Sequence, residues 1–201
     1  MKQAWPAAER NKAPILEVLG RMLPSTGTLL EIASGTGQHA AYFAEHLPGW
    51  VIQPSDIDSE NLESIEAWVA DAQLPNLRRP FRLDVLAAEW GVGRVDAVYS
   101  ANMIHIAPPA CTEALVAGAG RHLNSGGRFV LYGPFRVGGE HTAPSNASFD
   151  ADLRRRDPGF GVRDLEAVQQ SGIAAGLRLI ERVPMPANNF TLIFERGSRE
   201  A

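Results

Sequence analysis

Strand-like and helix-like patterns alternate along the first two thirds of the chain, and that alternation leaves few folds open to it. Short apolar runs at 28–33, 50–55, 80–84, 95–100 and 128–132 read as strands. Longer periodic segments at 38–47, 60–72 and 109–123 read as helices. A strand, a helix and another strand in succession describe a parallel sheet with crossover helices, because a crossover takes about a dozen residues. The 60–72 segment shows the reasoning. Leu62, Ile65, Trp68 and Val69 recur at helical spacing, Asp58 and Ser59 offer N-cap oxygens, and Glu60 and Glu63 suit the positive end of the dipole. Asn124-Ser125-Gly126-Gly127 is expected to stop the helix before it and turn the chain into the fifth strand.

After Tyr132 the rhythm changes. A stretch rich in Gly and Pro covers 133–146, a short helix is expected at 149–156, and a longer one at 164–175. Two strand patterns follow, at 177–183 and 189–195. The five residues between them are too few for a crossover helix, so these strands are expected to pair as an antiparallel hairpin. The fold class predicted is α/β: a Rossmann-like, doubly wound, mostly parallel sheet closed by an antiparallel C-terminal hairpin, with helices on both faces. The 201 residues suit a single domain over 1–201, with a lid or substrate-binding insertion at about 133–163.

The function classes narrow further on composition. A net charge of −4 draws the chain toward neither nucleic acid nor anionic lipid, and no apolar run approaches the roughly 20 residues of a membrane span. The cluster Arg154-Arg155-Arg156 reads as a solvated helix face. Cys111, the only cysteine, permits no intrachain disulfide and reads as a packing residue. With an N-terminus that lacks a signal-peptide core, a cytoplasmic protein is expected. His39, His105 and His141 match no standard ligand spacing, so no metal is expected.

The segment from Glu31 through Ala33, Ser34, Gly35 and Gly37 to Ala40 follows a strand and opens a helix. Gly35 and Gly37 permit a tight turn and let a ligand lie against bare backbone, although glycines mark ordinary turns too. Asp56 follows the second strand about 20 residues on, where a carboxylate can accept hydrogen bonds from both ribose hydroxyls; Asp58 reads more simply as a helix cap. Two ligands compete for such a site, a dinucleotide and S-adenosylmethionine. The chain is short for a dehydrogenase with its own substrate region, and Glu31 on the first strand would add negative potential near a cation, so S-adenosylmethionine is favoured.

The segment Glu31-Ile32-Ala33-Ser34-Gly35-Thr36-Gly37 resembles the first motif of class I S-adenosylmethionine-dependent methyltransferases, and the closing hairpin resembles theirs. More narrowly, the chain resembles the methyltransferase-like family that includes the animal methyltransferase-like protein twenty-six. Glu9-Arg10-Asn11-Lys12, Gln53-Pro54-Ser55-Asp56, Asn102-Met103-Ile104-His105-Ile106, Tyr132-Gly133-Pro134-Phe135, Arg156-Asp157-Pro158 and Met185-Pro186-Ala187-Asn188-Asn189 carry that likeness. The resemblance implies fold and cofactor, and no substrate. It implies that the glycine loop holds the methionine part, Asp56 the ribose, Asp84 the adenine amino group, and that Asn102 lines the methyl-transfer side. Asp84 also reads as a turn residue before Val85-Leu86.

His105 and Tyr132 are the candidate catalytic residues. An imidazole titrates near neutrality, and His105 lies just past a strand's carboxyl end, where open α/β sheets place ligands; it reads equally as a buried histidine capping a loop. Nucleobase amino methyltransferases carry a segment like Asn-Pro-Pro-Tyr where this chain has Asn102-Met103-Ile104-His105, which argues with the acidic charge against DNA or RNA. A small-molecule acceptor is expected. Arg10 and Asn11 from an N-terminal helix, with Asn146 and Arg156 from the 133–163 segment, are the candidate substrate-binding residues, although that segment reads also as a solvated insertion. Asn188 and Asn189 read as turn formers. The competing reading is a non-catalytic S-adenosylmethionine-binding module that acts through partners.

Overall fold

The computed structural model describes residues 1–198. The chain forms two compact units, one up to Ala101 and one from Asn102 onward.

The first unit opens with helix α1 (Pro6–Met22), whose leading proline needs no intrahelical donor. It continues with β1 (Gly27–Ile32), α2 (Gln38–His46), β2 (Trp50–Asp56), α3 (Ser59–Ala72), β3 (Phe81–Arg82) and β4 (Val95–Ala101). β1 pairs in parallel with β2 on one side and β4 on the other. Its residues Leu29, Leu30 and Ile32 are buried with Phe43, Ile52, Ile65, Val98 and Tyr99. Runs buried on both faces are what a central parallel strand requires, and each such side chain removed from water contributes about 1.5–3 kcal/mol. α3 starts where its cap was expected, with Asp58 accepting from Glu60 N–H at 2.8 Å. The strand expected over 80–84 is only two residues long. It pairs with β2 at Phe81 and Arg82, Leu83 N–H donates to the Asp56 carbonyl, and the chain then turns at Asp84.

The second unit begins with a 3₁₀ turn at Met103–His105, then α4 (Pro109–His122), β5 (Leu123–Gly133), β6 (Phe135–Val137), β7 (Glu140–His141), α5 (Pro144–Arg156), β8 (Arg163–Asp164), α6 (Leu165–Ala174) and β9 (Leu177–Met185). A 3₁₀ turn at Pro186–Asn188 leads into β10 (Asn189–Arg196). β10 is antiparallel to both β5 and β9, so the terminal hairpin forms as expected. α4 and α6 approach closely because Gly120 has no side chain to strike the Ala175 carbonyl. Gly172 similarly lets α6 lie against the Phe194 ring. Asn124–Gly127, expected as a turn, instead belongs to the start of β5, with Gly126 at φ +75°. α5 begins at Pro144, several residues ahead of the expected helix. The stretch 133–146 is not structureless: β7, β6 and β8 form a small separate sheet.

Across the chain the main sheet has seven strands in the order β3-β2-β1-β4-β5-β10-β9, with helices on both sides. This is the Rossmann-like, mostly parallel architecture that the alternating pattern predicted. No helix among the described residues is long and apolar enough to cross a membrane.

Candidate functional site

At the end of β1 the backbone leaves the sheet through three residues of positive φ: Ala33 at 56°, Gly35 at 55° and Gly37 at 93°. The left-handed conformation costs a non-glycine residue about 1–2 kcal/mol, so Ala33 is held there by its surroundings. Those surroundings are hydrogen bonds. Ser34 N–H donates to the Ser55 carbonyl at 2.9 Å, Ser55 Oγ donates to the Glu31 carbonyl at 2.7 Å, and Gly37 N–H closes the turn on the Ser34 carbonyl at 3.0 Å. Gly37 has a steric reason as well: a Cβ there would lie 3.0 Å from the Ile65 Cα, and that backbone atom cannot swing away.

Asp56 is joined to this loop. Its Oδ2 accepts the Gly35 N–H at 2.8 Å, while Oδ1 accepts from Asp58 N–H at 3.0 Å and Asn61 Nδ2 at 3.2 Å. The side chain is buried, and three of about four acceptor positions on the carboxylate are filled. Asp84 makes the bond of a turn residue, its Oδ1 accepting from Leu86 N–H at 2.9 Å.

Behind the loop lies a buried polar cluster that sequence spacing does not reveal. Glu31 is 2% exposed, and its Oε2 has no hydrogen-bond partner. Burial pushes its carboxyl up to about 8; the negative charge of Asp56 adds to the rise, and a bond from Ser34 opposes it. His39 Nδ1 stands 3.9 Å from Glu31 Oε1. Asn11 Oδ1 lies 2.8 Å from His39 Nε2, which places the imidazole proton on Nε2 and leaves Nδ1 to accept from the Tyr99 hydroxyl at 3.2 Å. Burial lowers the imidazole to about 4, so His39 is neutral at physiological pH. Asn11, expected at the substrate, links α1 to α2 through this contact, and its neighbour Arg10 is exposed. No motif pointed to Trp5, and Gln38 was given no role within the glycine-loop segment, yet the two meet there: Trp5 N–H donates to Gln38 Oε1 at 2.5 Å, and Thr36 Oγ1 donates to the same oxygen at 3.1 Å.

In the second unit, Asn102 adopts φ 60° and its N–H donates to the Tyr132 carbonyl at 2.8 Å. His105 is fully buried, edge-on to the Phe135 ring. Its Nδ1 is 3.4 Å from the Gly161 carbonyl and its Nε2 has no partner. Burial lowers it to about 3, a fall opposed by the Gly161 carbonyl and the Asp150 charge and aided by Arg163. Tyr132 is buried, with its hydroxyl accepting from Asn189 Nδ2 at 2.9 Å. Asn146 donates to the Asn188 carbonyl at 2.9 Å and to Thr142 Oγ1 at 3.0 Å, which ties α5 to the β9–β10 connection. Arg163 organises the neighbouring backbone, donating to the carbonyls of Ile104, Ala107 and Gly159 at 2.8, 2.6 and 2.8 Å. Arg156 is exposed at the end of α5. Among the described residues no group of three His, Cys, Asp or Glu side chains is placed to hold a metal ion.

The fold is shared with solved methyltransferases. An O-methyltransferase family protein from Burkholderia thailandensis superposes with a TM-score of 0.82 at 18% identity, covering 96% of this chain and 58% of that one. Human N-acetylserotonin methyltransferase, solved in complex with S-adenosylmethionine, gives 0.79 at 13% identity over 96% and 53%. An O-methyltransferase family 2 protein from Planctomyces limnophilus, solved with apigenin, gives 0.73 at 19% identity over 92% and 61%. At such identities the likeness defines the fold, and this chain spans little more than half the length of those proteins. The sequence itself belongs to the family described as protein of unknown function DUF938, whose profile matches residues 2–196.

Proposed function

We propose that the protein is an S-adenosylmethionine-dependent methyltransferase acting on a small molecule, of the methyltransferase-like group that includes methyltransferase-like protein twenty-six. The observation that carries this reading is the 2.8 Å bond from Gly35 N–H to Asp56 Oδ2, which joins a glycine turn after β1 to a carboxylate at the end of β2. Two further features fit the cofactor. The glycines at 35 and 37 let the loop turn tightly out of β1 with positive φ, and the unpartnered Glu31 Oε2 supplies a group able to become negative beside a positively charged ligand. Solved proteins of this fold include one in complex with S-adenosylmethionine.

When bound, the cofactor would supply a methyl group on a sulfonium with a good leaving group. The task left to the chain is to align the acceptor and exclude water. In this reading Ala33, Ser34, Gly35 and Gly37 hold the methionine part. Asp56 takes the ribose through its remaining lone pair or by releasing Asn61, and Asp84 faces the adenine. Asn102, His105 and Tyr132 serve the methyl-transfer side. The segment at about 133–163 covers the acceptor within a single domain, with Asn146, Arg156, Arg10 and Asn11 near it. A small-molecule acceptor is favoured by the acidic net charge and by the apigenin bound to one protein of the same fold. A single cysteine, which can form no intrachain disulfide, favours the cytoplasm.

Calorimetric titration with S-adenosylhomocysteine tests the reading, followed by transfer of labelled methyl to a panel of small acceptors. Saturable binding and labelled product are expected. Absence of binding to either form of the cofactor, or displacement of it by NADH, would overturn the assignment. Binding with no transfer across the panel would favour the non-catalytic module.

A further inference from the structure

The N-terminal arm before α1 is fixed at several points. The Lys2 ammonium pairs with Asp71 and lies 3.7 Å from the centroid of a Trp68 ring. Trp68 Nε1 donates to the Gln3 carbonyl at 2.8 Å, and Gln3 N–H donates to Ser64 Oγ at 2.9 Å. Ser64 is fully buried, and its hydroxyl in turn donates to the Thr36 carbonyl of the glycine loop at 2.8 Å. One hydroxyl thus links the arm to the loop.

The arm ends at Trp5, whose N–H is held by Gln38 and whose carbonyl accepts the Glu9 N–H at 3.1 Å. The indole rests on Gly35: a Cβ there would lie 3.1 Å from ring atom Cζ3. Gly35 is therefore bare partly to admit this ring. Yet Trp5 remains 48% exposed. A large aromatic side chain positioned by this set of bonds, with one portion against the glycine turn and half its surface open, presents a preformed apolar wall. A ligand lying on the Gly35 backbone must meet it.

We propose that Trp5 is a cofactor-contacting residue, forming an aromatic wall of the site at the glycine loop. The inference rests on the cofactor reading given above. The chemistry of the wall suits that ligand twice over: the indole offers a broad apolar face, and its π-system attracts a cation held close to it.

The test compares the full-length protein with Trp5→Phe and Trp5→Ala by calorimetry with S-adenosylhomocysteine and by tryptophan emission. Trp50 and Trp90 are buried and Trp68 is half-buried, so the share of a ligand-induced emission change that belongs to Trp5, the most exposed of the four, is read as the difference between wild type and Trp5→Phe. Trp5→Ala should weaken binding about tenfold or more, Trp5→Phe should stay within about threefold, and the emission change should shrink in Trp5→Phe. Unchanged or tighter binding by Trp5→Ala, or an undiminished emission change in Trp5→Phe, would overturn the role of Trp5 while leaving the cofactor reading intact. A wild-type protein that binds no S-adenosylhomocysteine would overturn both.

Discussion

His105 Nε2 occupies the volume that a side chain on Gly133 would need, and the Asn102 Oδ1 stands 3.3 Å from the same point. The end of β5 and the 3₁₀ turn after β4 therefore meet through a glycine, with no room for a methyl group. Gly133→Ala should destabilise the protein by about 1–3 kcal/mol through overpacking. A shift in the urea midpoint at constant slope would report it, and an unchanged midpoint would show that the imidazole moves freely.

Asp56 holds three donors, from Gly35, Asp58 and Asn61, in a buried position. Removing the carboxylate in Asp56→Ala leaves those donors without their acceptor and should cost about 3 kcal/mol. Asp56→Asn keeps an acceptor oxygen and should cost less, yet it should still bind S-adenosylhomocysteine about tenfold more weakly if the carboxylate takes the ribose. Equal affinity of Asp56→Asn and wild type would confine Asp56 to holding the loop.

Three buried groups set the pH dependence of stability in opposite directions. Glu31 is raised from 4.5 to about 8, so between those values the folded state holds a proton that the unfolded state has lost, and stability falls as pH rises. His39 and His105 are lowered from 6.5 to about 4 and about 3; there the unfolded state binds the extra protons, and stability falls as pH drops below 6.5. Each group contributes a slope of about 1.4 kcal/mol per pH unit within its window. Unfolding free energy should peak near pH 6.5, and Glu31→Gln should flatten the alkaline side and steepen the acid side between about 4.5 and 6.5. A maximum near pH 8 would contradict the burial of Glu31.

Both histidines should stay neutral well below the usual imidazole range. Nitrogen chemical shifts of the two rings, followed from pH 8 to 5, should show no titration, with the proton of His39 on Nε2. If either ring titrates near 6.5, solvent reaches it and the closed environment described for it is wrong. A general base at His105 would then have to be reconsidered with a normal imidazole affinity.

The local devices were legible because each is written in neighbouring residues. Asp58 and Glu60 announce the start of α3, and the short connection at 184–188 leaves β9 and β10 only an antiparallel solution. The length of β3 was not legible. Its apolar run continues to Leu83, but pairing with β2 stops after Arg82. Likewise the 133–146 stretch looks like loop because its strands are very short, and β6 finds its parallel partner in β8, far along the chain.

From its own order of residues the chain settled the sequence of strands and helices, the turn at Gly35 and Gly37, and the carboxylate after the second strand. These follow from short-range sterics and hydrophobic period, which act within a few residues. Only the tertiary structure decided that Asn11 and Tyr99 would orient His39, that Glu31 would be left with an unpartnered oxygen, and that Trp5 would rest on Gly35. Those contacts join residues far apart in the chain, and their energies come from desolvation and close packing, which exist only once the elements have been brought together.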